Sequence, residues 1–170
     1  MKVSYWNRFC PTLFGTGAVE MVGDKAKELG IKKVMVVTES DLIRFKVATK
    51  VIDILKTAGY DPVIFDKCKA DAPSDICDEG ARYAVENGID GIVAIGGGSS
   101  LDTAKAIGII ISMRRNSSIS FGAGKIVICL TRRINGMSAE NVAFGRLKDS
   151  LSQRLFYHES RLKQLCGERV

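Results

Sequence analysis

The chain has 170 residues, 46% of them hydrophobic and 26% charged, an ordinary composition for a soluble globular protein with one real core. Its longest apolar run, around AIGIIIS, is too short to cross a bilayer, which excludes a membrane-spanning chain. The net charge of +6 suggests a nucleic-acid partner at first sight, but the excess is confined to one end.

Residues 1–112 carry 11 lysines and 3 arginines against 15 acidic residues, a net −1; residues 113–170 carry 3 lysines and 8 arginines against 4 acidic residues, a net +7. A boundary is therefore expected near Met113, with a domain over 1–112 and a basic tail over 113–170. The tail's arginines are spread along it, so a solvated face explains them better than nucleic-acid binding does. Five cysteines (Cys10, Cys68, Cys77, Cys129, Cys166) are scattered without a CxxC pair. The N-terminus has no sustained apolar stretch of the export type. Reduced thiols in a cytoplasm are the expectation.

In chain order, an extended N-terminal piece leads to GAVEMVGDKAKELG (17–30), which predicts a helix. KKVMVVT (32–38) is a short β-branched run and predicts a buried strand. In the segment that follows, Leu42, Phe45, Ala48, Val51, Ile52 and Leu55 recur at helical spacing. They predict one face of a single helix, capped by Ser40 and ended by Gly59. DPVIFD (61–66) predicts a second strand, and SDICDEGARYAVENG (74–88) a helix between Ser74 and Gly88. DGIVAI (90–95) predicts a third strand and SLDTAKAIGIII (100–111) a third helix. Beyond residue 112 the pattern weakens: GKIVICLT (124–131) fits one more strand, and 138–166 fits a helix with a thin apolar face. Strands alternating with helices predict an α/β fold, a Rossmann-like parallel sheet with flanking helices, followed by an irregular basic C-terminal tail.

The segment IVAIGGGSSLDTAKAI (92–107) carries the clearest chemical signal. Gly96, Gly97 and Gly98 stand where a strand hands over to a helix N-terminus, at the carboxyl end of a parallel sheet. Backbone N–H groups there lack helical partners, the helix dipole is positive, and glycine lets a phosphate approach without meeting a Cβ. The alternative is a bare turn, with Ser99 or Ser100 as N-cap and Asp102 completing a capping-box-like pair. A Walker A loop does not fit, because Ile119 and Ile126 stand at its required positions around FGAGKI (121–126). A GxGxxG fingerprint from Gly96 fails at Leu101. At the end of the first clear strand, Glu39 in VVTES is placed either to accept hydrogen bonds from ribose hydroxyls or to lie as a solvated loop carboxylate.

Taken together, GGGSSLDTAKAI resembles the GGGSxxDxAK motif of the iron-containing alcohol dehydrogenase family. LFGTGA (13–18) is similar to the family's FGxGA turn, KKVMVVTESDL to its first nucleotide-binding strand, and CKADAPSD (68–75) stands where the family carries a PNPT-like loop. The resemblance covers residues 1 to about 112. It implies an NAD(P)-dependent alcohol dehydrogenase. Gly96, Gly97, Gly98 and Ser99 would bind the cofactor pyrophosphate, Asp102 would lie toward the nicotinamide, and Glu39 would stand where an Asp favours NAD over NADP. Asp71 and Ala72 replace the Asn–Pro of the PNPT-like loop.

The resemblance also implies a small alcohol or aldehyde substrate, no nucleic-acid or membrane partner, and Fe²⁺ or Zn²⁺ held by one Asp and three His, with a homodimer left open. This chain has a single histidine, His158, so no metal ligands and no catalytic residues are assigned to it. His158, in FYHES, reads as a solvated helix residue. No PTTAGTGSE-like stretch is read after Ser112, and a frame change or truncation is expected to account for the tail. The chain would then carry the nucleotide-binding half and be inactive alone; the alternative is a non-catalytic nucleotide-binding or protein-interaction module.

Overall fold

A computed structural model describes residues 4–7, 11–114, 125–134 and 137–146. Seven strands form one mixed sheet in the order β1-β2-β7-β6-β5-β3-β4. The strands are β1 (Ser4–Asn7), β2 (Pro11–Phe14), β3 (Val34–Val37), β4 (Val63–Phe65), β5 (Gly91–Ile95), β6 (Lys125–Ile134) and β7 (Met137–Arg146). β4, β3, β5 and β6 run parallel, while β1, β2 and β7 are antiparallel to their neighbours. The helices are α1 (Val22–Glu28), α2 (Ser40–Arg44), α3 (Val47–Thr57), α4 (Ser74–Glu86) and α5 (Gly98–Arg114).

The β-branched runs explain the buried centre. Every residue of β3 and of β5 is buried, as in a sheet covered on both faces. Alternate residues point to opposite layers. Val34 and Val36 of β3 join Val51, Ile52 and Leu55 of α3 on one side. Met35 and Val37 join Ala81 and Ala84 of α4 and Leu101, Ala104 and Ile107 of α5 on the other. Each large apolar side chain fully buried this way contributes about 1.5–3 kcal/mol.

Several local expectations change in the folded chain. Gly17 takes a left-handed φ of 84°, and the helix expected from residue 17 opens as a single 3₁₀ turn over Ala18–Met21 before α1. The single helix expected after Ser40 is two: Lys46 adopts φ 59° and separates α2 from α3. Leu42 still packs against the same core cluster as α3, but Phe45 is left 65% exposed rather than buried. Ser40 and Ser74 are first helical residues, not caps; Glu39 and Pro73 precede them, and neither makes a side-chain capping bond. Gly59 and Gly88 do end their helices, at φ 94° and 63°.

The strand expected at 124–131 is present as β6, and it pairs in parallel with β5. Residues 138–146, expected to be helical, instead belong to strand β7, in register with β6 from Met137 to Arg146. Antiparallel pairing with both β6 and β2 satisfies the backbone of β7 and outweighs a thin helical stripe. The charge step near Met113 falls inside α5. The remainder of the helix expected over 138–166, and His158 with it, lies outside the described residues.

The amino end of the parallel sheet is tied by Asp90. Its carboxylate accepts the backbone N–H of Lys32 at 3.0 Å and of Lys33 at 2.8 Å, joining the entries to β3 and β5. Asp90→Ala is expected to cost about 1–2 kcal/mol, the scale of lost hydrogen bonds to a charged acceptor on half-exposed backbone. The urea midpoint reads it, and a change below about 0.3 kcal/mol would contradict this role.

Candidate functional site

The carboxyl ends of β3, β4 and β5 meet the N-terminus of α5, the position where open α/β sheets bind ligands. The three glycines do different things there. Gly96 turns the chain at φ 142°, a conformation that L side chains rarely adopt. A Cβ on Gly96 would lie 2.6 Å from Ser100 Oγ and 3.2 Å from Leu42 Cδ1. Gly97 is exposed, has no left-handed φ, and has open space within 4 Å of where its Cβ would stand. Gly98 is the first residue of α5. The helix therefore begins before the serines, and neither Ser99 nor Ser100 is its N-cap.

Each serine has another partner. The Ser100 hydroxyl, buried, donates to Glu39 Oε1 at 2.5 Å. Glu39 stands two residues past β3, and its backbone bridges to Lys67 beyond β4. Ser99 Oγ accepts the Asp71 backbone N–H at 3.3 Å, and its carbonyl accepts the Thr103 hydroxyl at 2.8 Å. The loop around Asp71 and Ala72 is thereby placed beside the glycine turn, with both residues at positive φ, 66° and 44°. Asp102 makes no capping box; its Oδ1 lies 3.5 Å from the ammonium of buried Lys105, one turn on.

The structure thus brings Glu39, Gly96, Gly97, Gly98 and Ser99 to one edge, with Asp102 on the next turn of α5. Sequence reading missed Ser100, whose partner is 61 residues away. It also missed the buried Thr38 hydroxyl beside Glu39, which has no hydrogen-bond partner among the described residues.

Two thiols lie near this edge. Burial pushes the Cys68 thiol up to about 12, against a hydrogen bond with Thr103 that lowers it, with Glu39 raising it further. Burial likewise pushes Cys77 up to about 11. Both are held toward the protonated thiol, which does not favour a nucleophilic thiolate at neutral pH.

Gly97 has open space over it at the N-terminus of a 17-residue helix, where an anionic group could approach the backbone. Among the described residues there is no group of three or more His, Cys, Asp or Glu side chains able to hold a metal ion.

A family model described as iron-containing alcohol dehydrogenase matches residues 11–160. The chain belongs to the iron-containing alcohol dehydrogenase family. Its match runs through β6 and β7, beyond the point near Ser112 where the quoted motifs end. The family's LFGTGA turn is visible in the fold, with Gly15 and Gly17 both at positive φ. The chain is 38% identical over 115 residues to a choline dehydrogenase of Bacillus subtilis, covering 64% of this chain and 29% of that protein. It is 39% identical over 106 residues to an NAD-dependent methanol dehydrogenase of Bacillus methanolicus, covering 61% and 28%. Among solved structures, a 1,3-propanediol oxidoreductase superposes with a TM-score of 0.59 at 28% identity, covering 69% of this chain and 32% of that one. The chain spans between a quarter and a third of the length of such relatives. No described helix is long and apolar enough to cross a membrane.

Proposed function

We propose that this chain supplies the nucleotide side of an alcohol dehydrogenase and binds NAD in preference to NADP. Gly96, Gly97, Gly98 and Ser99 would hold the pyrophosphate. Glu39 would accept the hydroxyls of the adenosine ribose, and Asp102 would lie toward the nicotinamide. The observation that carries the reading is the convergence of Glu39 and the open glycine turn on the N-terminus of α5. Bound NAD supplies the hydride acceptor for a small alcohol, or the donor for an aldehyde.

A single histidine cannot build a site of three imidazoles from one copy of this chain, so the Fe²⁺ or Zn²⁺ step of the family is not assigned to its residues. Buried, unpaired Cys68 and Cys77 favour a reducing compartment such as the cytoplasm.

Calorimetric titration of the chain with NAD tests the reading. With one wall of the cleft built from the described residues, the expected Kd is about 0.1–1 mM, or about −4 to −5.5 kcal/mol. Absence of any heat or saturation at 10-fold excess over that range refutes nucleotide binding.

A further inference from the structure

We infer that Ser100 is a positioning residue for cofactor choice: it latches the Glu39 carboxylate in place and so sets the preference for NAD over NADP. The inference rests on the nucleotide reading above and adds a determinant to it.

Three observations lead there. Glu39 has one methylene more than an aspartate and so more rotamers through which its carboxylate could leave the site. In the fold it does not roam: Ser100 donates to Oε1 at 2.5 Å from a buried position on the first turn of α5. Room for that hydroxyl exists because residue 96 is glycine; a Cβ there would stand 2.6 Å from Ser100 Oγ and 2.9 Å from Ser100 Cβ. The close approach at Gly96 thus serves the latch, while Gly97 keeps the open side.

The chemistry follows from what a held carboxylate does. A fixed acceptor is paired with ribose hydroxyls at little ordering cost, whereas a 2′-phosphate meets a negative charge that cannot swing aside. Lys67, whose backbone bridges to Glu39, pairs its ammonium with Glu79, and the nearest cation in sequence is the exposed Arg44. Its guanidinium lies 5.2 Å from the Phe45 ring centroid and 4.0 Å from Asp41 Oδ1.

The test is a double-mutant cycle on the full chain, with Kd for NAD and for NADP measured by ligand-observed NMR titration. Wild type, Ser100→Ala, Glu39→Ala and the double variant are compared. Wild type is expected to favour NAD. Ser100→Ala is expected to lower the NAD-to-NADP affinity ratio by about fivefold, the effect of losing a hydrogen bond to a charged group. In the Glu39→Ala background the same change is expected to leave the ratio unaltered, because Ser100 acts only through Glu39. An unchanged ratio in Ser100→Ala, an equal drop without Glu39, or a wild type that prefers NADP overturns the latch while leaving nucleotide binding intact. A wild type that binds neither dinucleotide overturns the nucleotide reading itself, and the latch with it.

Discussion

Gly97→Val is expected to abolish the response of this chain to NAD while leaving its fold in place. Nothing lies within 4 Å of the new Cβ and the backbone there is not left-handed, so intrinsic stability should change by less than about 1 kcal/mol. The isopropyl group would fill the space above the turn and keep a pyrophosphate from the α5 amides. For a Kd near 1 mM, 10 mM NAD stabilises wild type by about 1.4 kcal/mol, which raises the melting temperature by about 3–5 °C in a chain of this size. That rise should vanish in Gly97→Val. Its neighbour behaves differently: Gly96→Val puts a side chain at φ 142° and against Ser100, and should cost about 2–4 kcal/mol before any ligand is added. A NAD-dependent rise in Gly97→Val as large as in wild type would rule out a phosphate cradle at this turn.

The second large effect is expected far from the site. A Cβ on Gly91, at the start of β5, would stand 2.5–2.6 Å from three atoms of Ile31. Ile31 is buried and β-branched, so it cannot swing clear. Gly91→Ala should therefore destabilise by about 2–3 kcal/mol through overpacking. Ile31→Ala alone should cost about 2–4 kcal/mol through the cavity it leaves. The double variant should cost clearly less than both together, since the added methyl enters the vacated space. Additive costs in urea unfolding would mean that the two residues do not touch.

Much of this was legible along the chain because it is encoded locally. VMVV and GIVAI are too apolar for anything but strands covered on both faces, and their alternation with helical spacing determined a parallel α/β sheet. GGGSSLDTAKAI, with LFGTGA and the acidic residue after the first strand, pointed to the family and to the edge of the sheet where the nucleotide site is proposed. Gly59 and Gly88 announced the ends of helices because only a residue without a Cβ takes those angles cheaply.

What the sequence by itself did not determine depends on partners distant along the chain. Lys46 has no local mark of a left-handed break, yet it takes one in the folded chain, and Phe45 beside it faces outward. β7 carries a weak helical stripe, and its strand state exists because β6 and β2 offer it ladder partners. Three glycines in a row look alike in sequence. Their neighbours in space separate them: Ser100 and Leu42 crowd Gly96, nothing crowds Gly97, and α5 begins at Gly98. Ser100 reads as a helix cap until Glu39, 61 residues earlier in the chain, arrives from the end of β3 to accept its hydrogen bond. Local periodicity records which face of an element is buried; it carries no record of which side chain waits on the other side, and that is decided only when the layers close.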